Sequence, residues 1–410
     1  MLRILVVGAG GQGAPCASIL SRDPEVSDIV LADIDSELTE KVARKIGSAK
    51  IITKRVDAGN PKDLLKAAEG VDGIINLTLP RFNLNIMETA LKSGAHYVDS
   101  ALGPVIWRQL VEKKPLEFAE DFKKAELTAV IGCGGTPGVS NVLIRYACDK
   151  LDNVDRIRCL LGKKRLKKYD EVVEAWDPGW CPDVAIDDYA EEPVVFENGK
   201  YKLFPPFSEV EEYNFPDPVG PLLISLHAHE EAVTLPRFIG KDVRYVEFKY
   251  PLDMVAGALV KLGFANYDPI EVKGAKVAPR DVLLSLVRHP VEDFLTEDEN
   301  TAANPAESIA LIVMEIEGEK AGHKVKHTLT QKVYGLSADE KLKMFRTLGT
   351  AKVFVAAPAI VAAKMSIKGD AEKGVIAPER LDPIKFLKMM ADIGAPVKFQ
   401  ETVSKSMTIS

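Results

Sequence analysis

Two stretches decide the fold: LRILVVGAGGQG at residues 2–13 and DIVLAD at residues 28–33. The first is an apolar strand run broken by Gly8, Gly10 and Gly13 in G-x-G-x-x-G order, with Gly11 as an extra glycine. A helical pattern through Cys16, Ile19 and Leu20 follows, and the second strand run ends on Asp33, twenty residues after Gly13. Gly8 permits a tight turn, Gly10 lets backbone approach a pyrophosphate, and Gly13 lets the helix pack close to the strand. The helix start then offers bare N–H groups and positive potential to phosphates. Asp33 suits the hydroxyls of an adenosine ribose and would repel a 2′-phosphate. Ile34, Asp35 and Ser36 come next, so no arginine stands by to accept one. The pattern therefore points to a nicotinamide dinucleotide, NAD in preference to NADP.

Outward from that turn, strand and helix signals alternate. They comprise a helix from Ser36 to Ile46, a strand IITKRV at 51–56, and an Asn60–Pro61 helix start. GIINLT at 73–78, NLNIMETALKSG at 83–94 and HYVDS at 96–100 continue the rhythm. Strands joined by helices predict a doubly wound parallel sheet over residues 1–135. The rhythm then stops. A helix within 138–151 precedes amphipathic strands, RIRCLLG, VRYVEFKY, IALIVMEIEG and KVKHTLTQKVY, the last two flanking a GEKAGH hairpin signal. These predict a mixed-sheet α+β domain over 136–336 with one wet face. Residues Trp176–Pro218 read as a long irregular, functional loop. From Ser337, which forms a capping-box spacing with Glu340, helical patterns predict a C-terminal segment, 337–410, with a kink or break at Pro358.

The chain has 410 residues, 46% hydrophobic and 28% charged, the composition of a globular protein with room for a sizeable core. A formal charge of −7 argues against a broad nucleic-acid surface, and the basic KKRLKK at 163–168 reads as a solvated turn or strand end. No apolar run is long enough to span a membrane. Five scattered cysteines without a C-x-x-C pair suit reduced thiols. With an N-terminus that lacks a cleavage-site pattern, they lead to an expectation of a cytoplasmic location.

VDAGNPKDLLKAAEGVDGIINLTLP at 56–80, GAHYVDS at 94–100 and GCGGTPGVSNVL at 132–143 resemble the saccharopine dehydrogenase family, as do HEEAVTLPRF at 229–238 and KGVIAPE at 373–379. The resemblance implies a Rossmann domain, a mixed α/β domain for substrate and dimerisation, and C-terminal helices returning to the Rossmann domain. It also implies a homodimer, for which the amphipathic strands from 307 to 334 offer a face, and reversible hydride transfer between a nicotinamide and the carbon bearing an amine, through an imine. The substrate expected is an amino acid or an opine-like secondary amine. NAD-type Asp33 departs from the NADP preference of saccharopine reductases, and no arginine motif for their substrate aligns.

Such chemistry needs a positioned C–H, a group that takes the amine proton, and cations for carboxylates. Ligands bind outside the carboxyl ends of parallel strands. Thr78, Leu79 and Pro80 therefore fall on the nicotinamide side, with Gln12 in the glycine turn and Asp57 after the third strand completing the cofactor set. Tyr97, Asp99 and Ser100 end the fifth strand. Asp99 is read as a catalytic or ammonium-binding carboxylate, or else as a loop cap, with Tyr97 and Ser100 as substrate contacts. His227, His229 and Glu230 form the densest titratable cluster in the second domain. His229 and Glu230 are read as proton-handling groups and His227 as a substrate contact; buried or surface histidines are the plainer alternative. Arg237 is a candidate carboxylate partner, as are Arg81 and Arg244. No third ligand spacing suggests a metal. The glycine loop at 134–138 would hold an anion or simply turn the chain. Cys133 is a buried thiol or, on a rival aldehyde-dehydrogenase reading, a nucleophile. Trp176, Trp180 and Tyr189 would make a lid or pocket wall, or an aromatic packing cluster.

Overall fold

The computed structural model describes residues 1–166 and 176–406. The apolar runs of the N-terminal part form β1 (Leu2–Val7), β2 (Val26–Asp33), β3 (Ile51–Arg55), β4 (Gly73–Asn76), β5 (His96–Asp99) and β6 (Thr128–Val130). With a seventh strand, Gly374–Ile376, they build one sheet in the order Gly374–Ile376, β6, β5, β4, β1, β2, β3. Every pairing in it is parallel. The strand order reverses between β1 and β4, so a crevice opens beyond their carboxyl ends.

Local chemistry fixes the helix starts. Helix α1 (Gly13–Arg22) leaves the glycine turn directly. Asp35 caps α2 (Ser36–Ile46) by accepting from the Leu38 N–H, and Gly47 ends it in the left-handed region. Asn60 accepts from the Lys62 N–H and Pro61 takes the first helical position, as their order predicts.

Among the described residues the second sheet has nine strands. Asn153–Arg165 pairs parallel with Tyr245–Pro251 and antiparallel with Ser308–Lys320, so the sheet is mixed. The GEKAGH hairpin is present, joining Ser308–Lys320 to His323–Tyr334. One expected feature differs. The face read as wet is covered at Ile309, Leu311 and Val313 by Leu160, Phe215, Val219 and Ile224. Gly162 permits this, because a Cβ there would lie 2.7 Å from the Phe215 ring. Beside them Arg158 is paired with Glu247, Glu211 and Glu315, which satisfies the charges left on that face.

Residues 176–218 are more regular than their composition suggests. They hold a helix, Pro182–Ala190, and the strands Val194–Glu197, Lys200–Leu203 and Glu211–Phe215. Short strands with alternating charges carry little periodic signal and are fixed here by pairing with Tyr245–Pro251 and Gly220–Leu226. Residues 167 and 168 of the basic stretch lie outside the described residues.

In the C-terminal segment Ser337 and Glu340 form their capping box. The helix Ala356–Ile367 is buried from Ala356 to Ser366 and packs on α1, β4, β5 and β6, so the tail does return to the parallel sheet. Pro358 lies in the first turn of that helix, where no intrahelical N–H bond is lost, and causes no break. The tail also contributes strands: Gly374–Ile376 to the parallel sheet and Phe399–Lys405 to the mixed one. Among the described residues no helix is long and apolar enough to cross a membrane.

Candidate functional site

The glycine turn divides its work by position. Gly8 has φ +98°, and a Cβ there would lie 2.7 Å from the Leu77 carbonyl oxygen, so β1 and β4 release their chains almost in contact. A Cβ on Gly13 would overlap the Gly8 carbonyl, which explains the close departure of α1. At Gly10 the same atom would meet only His289 Cε1, at 3.8 Å, so the backbone there is bare and open to a phosphate. Asp33 lies beside the turn: its carboxylate accepts from the Ala9 N–H at 2.7 Å and from the Asp35 N–H at 3.0 Å. These residues fit a dinucleotide. Gln12 precedes α1 and is half-buried, and Asp57, just past β3, accepts from the Gly59 N–H. Thr78 bonds the Asn76 side chain through N–H and hydroxyl, while Leu79 and Pro80 open a short turn beyond β4.

At the end of β5 the structure corrects the reading of Asp99 and Tyr97. Alternation does put them on one face, but both are buried, and the Tyr97 hydroxyl donates to Asp99 at 2.9 Å. Asp99 also accepts from the Asn83 amide at 3.0 Å and from the Gly132 N–H at 2.6 Å. Its oxygens are thus committed to joining β5, the start of the helix Asn83–Ser93 and the 132–138 loop. Burial pushes its carboxyl up to about 7, the Gly132 and Tyr97 bonds opposing. Asp99 is a support beneath the site, not a wall of it, and Tyr97 cannot touch a substrate. Ser100 is half-buried beside Gly134.

The 134–138 loop is a structural turn. The Gly134 N–H donates to Pro137, Gly138 to the Asn141 side chain, Val139 to Gly134 and Ser140 to Gly135, so these donors are taken. Cys133 is fully buried with its thiol pushed up by burial, which removes the nucleophile reading.

The mixed sheet brings its own cluster to the same edge. Following the strand Gly220–Leu226, His229 stacks on Phe248 with ring centres 3.9 Å apart and pairs with Glu231, the first residue of the helix Glu231–Phe238. Glu231 is wholly buried and also accepts from the hydroxyls of Thr136 and Ser140, each at 2.6 Å. Glu230 lies between the domains: its Oε1 accepts from the Leu102 N–H at 3.1 Å, its Oε2 is 3.6 Å from His229, and its side chain is 14% exposed. His229 therefore does sit at the carboxyl edge of the parallel sheet, with Glu230 the cluster member most open to a ligand.

The charges explain the roles. Burial alone would lower the His229 pKa, but Glu231, then Glu230 and Asp188, raise it to about 9. Burial raises Glu230, with His229 opposing and Glu231 adding. Glu231 is held low, because His229 and the two hydroxyls outweigh its burial. His229 is therefore an imidazolium at neutral pH, which corrects its reading as a proton acceptor there. His229, Glu230 and Glu231 offer ligand atoms within 4.8 Å of one another, but a metal ion would have to displace the His229 proton.

His227 is buried, stacked on Tyr250 and edge-on to Tyr189, and burial lowers it to about 3, so it stays neutral. With Tyr189, Phe207, Asp188 and Glu191 it lines a small cavity. Tyr189 is thus a pocket wall, as one reading of the aromatic segment expected. Burial raises both carboxyls, Asp188 also under pressure from Glu230, and Glu191 reaches about 7. The helix bearing Asp188 is anchored by buried Arg280, which pairs with Asp183 and Asp187, and by Arg81, 3.5 Å from Asp183. Arg81 therefore serves a protein carboxylate. Arg237 stands exposed on the last turn of the Glu231–Phe238 helix, with its charge acting on Tyr201, and is not brought to the cluster. Arg244 is exposed beside Asp155.

Sequence reading missed Asp188, Glu231 and Glu379. Glu379 is buried and accepts from the Asn141 amide at 3.0 Å; its carboxyl is raised to about 7 by burial. The Glu231 signal was available: a second Glu after His229–Glu230, in the first turn of a helix.

Residues 4–130 match the saccharopine dehydrogenase NADP binding domain and residues 134–395 the saccharopine dehydrogenase C-terminal domain. The chain is 26% identical to carboxyaminopropylagmatine dehydrogenase of Synechocystis sp., covering 97% of each chain. It is 25% identical to carboxynorspermidine synthase of Vibrio alginolyticus, covering 98% of this chain and 97% of that one. Among solved structures, saccharopine dehydrogenase (L-Glu forming) of Saccharomyces cerevisiae superposes with TM-score 0.66 at 15% identity, covering 98% of this chain and 100% of the other. Homospermidine synthase of Legionella pneumophila, in complex with NAD, gives 0.65 at 15% identity, over 98% and 91%.

Proposed function

The chain belongs to the saccharopine dehydrogenase family of NAD(P)-dependent oxidoreductases, and on that premise we propose that it is an NAD-dependent dehydrogenase or reductase of a carboxyalkyl amine with a further cationic group. A bound nicotinamide would supply the hydride acceptor or donor. The chain's residues bind the amine, orient it and move its proton. The observation that carries the reading is Glu230, a carboxylate between the domains, backed by the buried His229–Glu231 pair.

Oxidation of a C–N carbon requires a neutral amine, so a nearby base must take the ammonium proton. Glu230 suits that task, since burial raises its pKa above that of an ordinary carboxylate and so makes it a stronger base. The positive charge of His229 limits the rise and fixes Glu230 in place. In the reverse direction the protonated Glu230 would return the proton to the amine nitrogen, which carries the imine double bond until hydride arrives.

Substrate charge follows from the lining. Asp188 and Glu191 line a small cavity with aromatic Tyr189 and Phe207, and Glu230 acts on both through its charge. Burial raises these carboxyls, and an ammonium or guanidinium brought beside them would restore their charged form where a second carboxylate would not. The names of the two sequence relatives, one built on agmatine and one on norspermidine, agree with that class. NAD is preferred on the strength of Asp33. The test is NADH formation, followed by absorbance, with carboxyaminopropylagmatine, carboxynorspermidine, saccharopine and lysine. Turnover should favour the first two; saccharopine as the best substrate would overturn the charge argument. Silence across the panel despite tight NAD binding would favour a regulator or scaffold on the same fold.

Five unpaired cysteines suit a reducing, cytoplasmic setting. We also propose a homodimer. Because the strand face first expected to carry it is covered, the surface that suits it is the exposed apolar set Met254, Leu262, Ile270 and Leu286. A monomer in sedimentation at micromolar concentration would remove it.

A further inference from the structure

The dinucleotide turn is not completed by residues 1–130 alone. The chain that follows the helix Pro279–Leu286 crosses the turn at His289 and Pro290. Pro290 fills the space above Gly11, since a Cβ on Gly11 would lie 2.6 Å from Pro290 Cβ. This accounts for the extra glycine, which the phosphate fingerprint does not require. His289 comes next to Gly10, the position whose backbone is bare for a phosphate.

The crossing is tied down on both sides. Leu283 and Arg280 are buried before it, and Val291 and Phe294 are buried after it. His289 itself is exposed, so its place at the turn owes nothing to its own burial. Its Nδ1 accepts from the Val291 N–H at 3.3 Å, which leaves the ring proton on Nε2. Nε2 is bonded to Cε1, the ring atom that faces Gly10, and its N–H has no acceptor among the described residues.

We propose that His289 donates its Nε2–H to the pyrophosphate of NAD held on the Gly10–Gln12 turn, a cofactor contact supplied from outside the dinucleotide-binding domain. The inference rests on the dinucleotide reading above. Its chemistry is a hydrogen bond from an imidazole to a charged phosphate oxygen, which adds to the N–H groups at the start of α1.

The test is equilibrium titration of the full chain with NAD, ADP-ribose and adenosine. Wild type should bind NAD and ADP-ribose; failure here sinks the dinucleotide reading and the inference with it. His289→Ala should weaken NAD and ADP-ribose by about ten- to a hundredfold while leaving adenosine, which lacks phosphate, unchanged. His289→Gln, which keeps an N–H donor at similar reach, should restore most of the loss. Both variants should melt as wild type does, because the side chain is exposed. NAD binding unchanged in His289→Ala, or an equal loss for adenosine, would overturn the assignment while leaving the wild-type result intact.

Discussion

The glycine turn at residues 8–13 and the cluster at residues 229–231 both lie past the carboxyl ends of strands of the parallel sheet, yet they are built in opposite ways. The turn works by what it lacks: without side chains, backbone from β1, β4 and α1 packs tightly and leaves Gly10 bare. The cluster works by crowding charge. Its members are held by groups from distant segments, including Leu102, Thr136 and Ser140. The first offers a preformed cradle with little electrostatic stress. The second stores a buried ion pair that is safe only while every partner is present.

The largest expected effect tests the second half of that contrast. Glu231→Gln should cost about 3–5 kcal/mol at pH 7, because an imidazolium loses its buried partner. Wild-type His229 binds its proton more tightly folded than unfolded, with a folded pKa of about 9 against an ordinary 6.5. Its contribution is therefore complete below 6.5 and fades as pH rises through about 9. Urea unfolding of the two proteins should differ most just below pH 6.5 and converge as pH rises above about 9. Equal midpoints at pH 7 would mean that the pair contributes nothing.

The first half is sharpened by two glycines. Gly13→Ala forces a Cβ onto the Gly8 carbonyl and should destabilise by about 3 kcal/mol or more, whereas Gly10→Ala has room and should fold normally. Gly10→Ala should nevertheless bind NAD more weakly, as titration would show; matched behaviour of the two variants would erase the distinction between packing and approach.

A smaller effect is expected at Asp33→Ala. Losing a charged acceptor should weaken NAD by about 1.5–3 kcal/mol and relax discrimination against NADP. Part of that loss belongs to the Ala9 N–H, which Asp33 holds in the glycine turn. Unchanged NAD affinity would displace the ribose from this residue.

The same contrast explains what the sequence made legible. The turn, Asp33 and strands β1–β5 are local patterns, so period and glycine spacing were enough to place them. Gly374–Ile376 is three residues whose strand state depends on pairing with β6, 246 positions away in sequence, and no local pattern marks it. Asp99 shows the limit most clearly. Alternation correctly placed it with Tyr97, but whether its oxygens faced a substrate or a fold depended on Asn83 and Gly132. His229 was drawn to the right edge and given the wrong charge state, because Glu231 sets that charge only once the helix start is buried.

The central claim is that Glu230 handles the amine proton at the edge where the two halves meet. The direct measurement is single-turnover reduction of NAD by the best amine substrate, wild type against Glu230→Gln, with NAD affinity titrated alongside. Glu230→Gln should slow the hydride step by about a hundredfold or more at neutral pH, with NAD affinity unchanged and the loss shrinking as pH rises and the free amine forms unaided. Turnover at the wild-type rate across that pH range would contradict it.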